Sequence, residues 1–83
     1  MNTTDQDLIQ AILREVDALL KQRILPVHND LLKHLREGNI LEYLIIMKNQ
    51  GLISGDLITI GINGRPYRLT NIRLTYAGLR ALQ

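Results

Sequence analysis

Leu8, Ile9, Ile12, Leu13, Val16, Leu19 and Leu20 recur at helical spacing. At 100° per residue they fall on one stripe about 140° wide. The pattern predicts an amphipathic helix over residues 5–23, with Gln10, Arg14, Asp17 and Lys21 on its far side. Thr4 is placed to cap it, and Asp5 and Asp7 suit its positive start. Pro26 disfavours helix at Leu25, so residues 24–27 are expected to be extended, as a short strand candidate.

Leu31, Leu32 and Leu35 give a second, shorter helix from Asp30 to Glu37, with Asn29 as its N-cap and Gly38 ending it. Asn39 then caps a third helix, Ile40–Gln50, which Gly51 stops. A turn of about three residues containing glycine joins the two, the form of a helix-turn-helix.

Beyond Gly51 the period changes to two. Ile58, Ile60 and Ile62 alternate with Leu57, Thr59 and Gly61, and Asn63-Gly64 follows as a hairpin signal. A two-residue loop there sets Ile62 against Arg65, Ile60 against Tyr67, Thr59 against Arg68 and Ile58 against Leu69. One face is then Ile58, Ile60, Tyr67 and Leu69, and the other Thr59, Arg68 and Thr70. Pro66 is tolerated in a pair whose N–H points outward. Ile72-Arg73-Leu74 is a further extended piece, and Thr75 caps a last helix, Tyr76–Leu82.

The 83 residues have room for one core, so residues 1–83 are read as a single domain. With no cysteine, a disulfide, a thiolate metal site and a cysteine nucleophile are excluded. The first five residues lack the basic and apolar regions of a signal peptide. The longest run of large apolar residues, Leu44–Met47, is far below the ~20 needed to cross a bilayer. A cytoplasmic protein without membrane contact is expected.

Charge is divided unevenly. Residues 1–42 carry five bases and seven acids, whereas residues 43–83 carry five bases and one acid, Asp56. A basic second half points to an anionic partner, against the alternative of arginines that only keep the surface solvated.

Helix, extended piece, helix, helix, hairpin, helix is the order of an α+β winged helix-turn-helix: a three-helix core, a β-hairpin wing and a short C-terminal helix. Two local patterns match. Leu44-x-x-Met47-x-x-x-Gly51-Leu52-Ile53 resembles the end of a winged-helix third helix. Leu74-Thr75-Tyr76-Ala77-Gly78-Leu79-Arg80-Ala81-Leu82 resembles the segment that closes many bacterial winged helices. With the amphipathic start Asp7–Glu15, the Met47–Gly55 turn and Arg65-Pro66-Tyr67-Arg68-Leu69, the chain most resembles the small YjcQ-type proteins of Gram-positive bacteria and their prophages. The resemblance implies the winged-helix fold and binding to double-stranded DNA, and the leading expectation is a small transcriptional regulator of prophage or mobile-element type.

In that fold the third helix enters the major groove and the wing touches phosphates or the minor groove. The outer side of the third helix holds Asn39, Glu42, Tyr43, Ile46, Asn49 and Gln50, with Lys48 at its end. Asn and Gln pair bidentately with adenine, and Tyr reaches phosphate. The wing adds Arg65, Arg68 and Arg73. The expected DNA-binding set is therefore Asn39, Tyr43, Lys48, Asn49, Gln50, Arg65, Arg68 and Arg73. Ile46 beside Tyr43 forms a small apolar patch, which favours a second reading as a homodimer or protein-interaction module. No enzymatic constellation emerges: His28 and His34 do not share a helical face, Ser54 has no nucleophile elbow, and Gly61-x-x-Gly64 precedes no helix. No enzyme activity, cofactor or metal is expected.

Overall fold

A computed structural model describes residues 3–36, 38 and 40–83. It is a small compact α+β structure in which helices pack on a two-stranded antiparallel hairpin, a layout compatible with a winged helix. The elements are α1 (Thr3–Lys21), a 3-10 segment (Asn29–Leu35), α2 (Ile40–Asn49), β1 (Ile53–Ile60), β2 (Arg65–Leu74) and α3 (Tyr76–Ala81).

The apolar stripe of α1 buries Ile12, Leu13, Val16 and Leu19 against Leu32, Ile40, Leu44, Met47, Ile53, Leu69 and Ile72. The helical members are positions that the helical period marks as inward-facing, whereas of the expected hairpin face only Leu69 is buried, and Ile58, Ile60 and Tyr67 are exposed. Gln10, expected on the polar side, is half-buried and donates from Nε2 to the Ala81 carbonyl at 2.8 Å, tying α1 to the end of α3.

Both boundaries of α1 differ from expectation. The helix already includes Thr4, which is therefore not its N-cap. Its C-terminus is set by Arg23, which adopts φ 60°. The Arg23 and Ile24 amides donate to the carbonyls of Leu20 and Leu19 at 3.1 and 3.0 Å, a Schellman arrangement that ends the helix before Pro26 is reached. The expected strand over residues 24–27 contributes a single rung, with Ile72 N–H donating to the Val27 carbonyl at 2.9 Å.

The second helix is a 3-10 segment rather than an α-helix. Its N-cap is His28, which makes no side-chain cap. Asn29 instead accepts from the Leu69 amide through Oδ1 at 3.1 Å. The expected cap Asn39 and the expected helix end Glu37 lie outside the described residues. α2 ends on a Schellman arrangement of its own: Gly51 has φ 81° and donates to Lys48, and Leu52 donates to Met47, each at 3.0 Å.

The hairpin register differs at its tip. Ile60 faces Arg65, so the loop is Gly61-Ile62-Asn63-Gly64, four residues instead of two. Positive φ falls on Gly61 and Gly64 and not on Asn63, which removes the basis of a two-residue Asn-Gly turn. Thr59 then pairs with Pro66, Ile58 with Arg68 and Leu57 with Leu69. Two bulges, at Tyr67 and at Asn71 (φ 54°), place the extra residues on β2. The expected apolar face is split as a result: Leu69 shares a face with Leu57, while Ile58 and Ile60 sit with Arg68 and Arg65. Ile72–Leu74, read as a separate piece, continues β2 through the second bulge.

Candidate nucleic-acid interface

α2 buries Ile40, Leu44 and Met47. Leu41, Tyr43, Ile45 and Lys48 are half-buried, and Glu42, Ile46, Asn49 and Gln50 are exposed. The outer face therefore holds the expected polar residues around Ile46, which is 46% exposed.

One contact changes the electrostatics of that face. The guanidinium of Arg36 stacks over the Tyr43 ring, 4.7 Å from its centroid. Arg36 ends the 3-10 segment in an extended conformation (φ −157°, ψ 114°), which carries its side chain across the turn onto α2. A face whose one base, Lys48, is half-buried at its far end thereby acquires a second at its start. The sequence carries no direct signal for this pair: the two residues are seven apart across an interrupted helix, and only the turn brings them together.

The wing contributes unequally. Arg65 is exposed at the tip, with Ile60, Ile62 and Asn63 around it. Pro66, the next residue, lines a groove of about 260 Å³ with Gly38, Leu41, Glu42 and Ile45, so this part of the wing leans on the first half of α2. Arg68 is engaged within the protein. It reaches Asp30 Oδ2 at 3.3 Å and His28 Nδ1 at 3.4 Å, and lies 5.8 Å from the Tyr67 centroid. Arg73 sits opposite Ser54 near the inner end of β2 and lines a separate groove with Leu25 and Pro26. Its partner Ser54 is six residues along β1 from Ile60, the partner of Arg65, so the two arginines are roughly 20 Å apart at ordinary strand rise.

The fold thus assembles Tyr43, Ile46, Lys48, Asn49 and Gln50 on one helix, adds Arg36, and sets Pro66 beside that helix, with Arg65 on the other face of the wing tip. It ties Arg68 to the 3-10 segment and places Arg73 elsewhere. His34 pairs with Glu15 at 3.8 Å, and among the described residues no group of His, Asp or Glu is arranged to hold a metal ion. No described helix is long and apolar enough to cross a membrane. Comparison with protein-family models, curated proteins and solved structures finds no match for this chain.

Proposed function

We propose that the protein is a winged helix-turn-helix that binds double-stranded DNA, as a small transcriptional regulator of prophage or mobile-element type. The observation that carries this reading is the Arg36–Tyr43 stack. It gives the outer face of α2 a guanidinium near its first half, about two helical turns from Asn49 and Gln50, side chains suited to adenine edges. Arg65 at the wing tip supplies a second phosphate or narrow-groove contact. The order of elements and the YjcQ-type resemblance support the same reading.

The test is a fluorescence anisotropy titration of mixed-sequence duplex at two salt concentrations. Binding at low salt that weakens as salt rises is the expected result, because phosphate contacts release counterions. Absence of binding at low salt overturns the reading.

The exposure of Ile46 favours a second reading, a protein-interaction module that uses α2. Light scattering on the wild type and on Ile46→Glu separates the two. Self-association that Ile46→Glu abolishes, without duplex binding in the wild type, supports the module.

A further inference from the structure

We propose that β1 is the interface of a two-fold homodimer, in which two copies pair their β1 strands antiparallel and form a four-stranded sheet. The proposal begins with the backbone. Pro66 has no N–H, so its pair with Thr59 is not a hydrogen-bonded one. In an antiparallel ladder the amide and carbonyl of such a residue point away from the partner strand. Thr59 therefore directs both groups to the side opposite β2, and by alternation along β1 Leu57 does the same. An independent contact agrees: the amide of Leu69, the mate of Leu57, points away from β1 and is held there by Asn29 Oδ1 at 3.1 Å. On the side of β1 away from β2 the sheet has no further strand among the described residues.

This edge lacks the usual protections. Open strands are ordinarily blocked by Lys, Pro or a bulge. β1 contains neither Lys nor Pro, and both bulges insert their extra residue into β2, leaving β1 regular. Beyond Asp56 it carries no charge. Leu57, Ile58 and Ile60 are 39%, 42% and 49% exposed and stand outside the buried core. A two-stranded ribbon of this kind is marginal by itself.

A second copy fits the edge through its own symmetry. With the two-fold axis at Thr59, that residue meets the partner's Thr59 as a hydrogen-bonded pair, using the groups that point outward. Ile58 then faces the partner's Ile60, and Ile60 the partner's Ile58, in non-hydrogen-bonded pairs where side chains approach most closely. A shift of one step toward the strand base would set Asp56 against Ile60, so the Thr59-centred register is the favoured one. Arg65 and Arg68 sit opposite Ile60 and Ile58 on the outer strands, giving an apolar centre with a charged rim. The paired stretch is short and belongs with interfaces below about 1,200 Å² in total, so dimerisation depends on concentration. Arg65 stays open in this dimer, and the proposal stands or falls separately from DNA binding.

Sedimentation velocity of the full chain over a wide concentration range tests it. A monomer–dimer equilibrium is expected, and Thr59→Pro should weaken it by about tenfold or more. That amide points away from β2, so the hairpin keeps its own bonds, and circular dichroism checks that the fold persists. Thr59→Cys, in a chain otherwise free of cysteine, should cross-link to itself under mild oxidation, because the Cα separation of a hydrogen-bonded pair, about 5.5 Å, suits a disulfide. Ser54→Cys should not cross-link. A monomer at every concentration overturns the proposal, as does a dimer that survives Thr59→Pro and is lost in Ile46→Glu.

Discussion

The carbonyl oxygen of Leu52 lies 2.1 Å from the point where a Cβ on Gly78 would stand. Only glycine allows that approach. Thr75 reinforces it: its amide donates to the same Leu52 carbonyl at 3.2 Å, its hydroxyl donates to the Gly51 carbonyl, and its Oγ1 accepts from the Gly78 amide at 3.0 Å. The two sequence patterns, Gly51-Leu52-Ile53 and Leu74-Thr75-x-x-Gly78, are thus two sides of one joint. It fixes the start of α3 to the turn leaving α2. Gly78→Ala should destabilise the protein by about 3 kcal/mol, the upper part of the range for overpacking against atoms that do not yield. The obstacle is backbone, so side-chain rearrangement brings no relief. Urea denaturation measures the effect, and an unchanged midpoint would contradict it.

The two halves of that joint were legible, though not their contact, because the residue types have few other uses together: a capping threonine and a glycine three positions later. The helical stripe of α1 and the buried face of α2 were legible for a similar reason, since periodicity reports burial directly. The hairpin tip was not. Asn63-Gly64 competes with a second glycine, Gly61, and the chain places its positive φ at Gly61 and Gly64 instead. Two bulges on β2 then re-aim the side chains that a uniform alternation assigns to faces. The site followed the same division. Tyr43, Asn49 and Gln50 could be placed from one helix, whereas the Arg36–Tyr43 and Arg68–Asp30 contacts join residues across turns and depend on the fold.

Arg23 closes α1 from the left-handed region, at φ 60°. A side chain there is crowded against its own backbone by roughly 1 kcal/mol or more, a cost that glycine does not carry. Arg23 is exposed and occupies the position where Schellman motifs usually hold glycine. Arg23→Gly should therefore stabilise the fold by about 0.5–1 kcal/mol, in spite of the added freedom of the unfolded chain. A rise in thermal midpoint is the expected outcome, and a fall would mean that the arginine makes a stabilising contribution in this turn.

Asn29 anchors the 3-10 segment to β2 by accepting from the Leu69 amide at 3.1 Å. Leu69 is fully buried, so its amide has poor access to water once that oxygen is removed. Asn29→Ala should cost about 1–3 kcal/mol, the penalty of an unsatisfied buried donor. Asn29→Asp keeps an acceptor in place and should lose less. Hydrogen exchange at the Leu69 amide is the direct readout: strongly accelerated in Asn29→Ala, and close to wild type in Asn29→Asp.

The three arginines near the proposed interface should separate by salt dependence. Each phosphate contact steepens the fall of log K with log salt by about 0.9. Arg65 is exposed at the wing tip, and Arg36 lies over Tyr43 on the α2 face. Arg65→Ala and Arg36→Ala should each flatten the slope by about one unit. Arg68 faces Asp30 at 3.3 Å, and a carboxylate that already neutralises a guanidinium leaves little charge to release counterions. Arg68→Ala should leave the slope near its wild-type value. Its effect should appear in stability, at no more than about 1 kcal/mol, because both partners of the pair are partly exposed. Duplex titrations of the three variants at several salt concentrations, alongside urea denaturation, test the division. A slope that flattens equally in all three variants would place Arg68 on the phosphates, with Asp30 released.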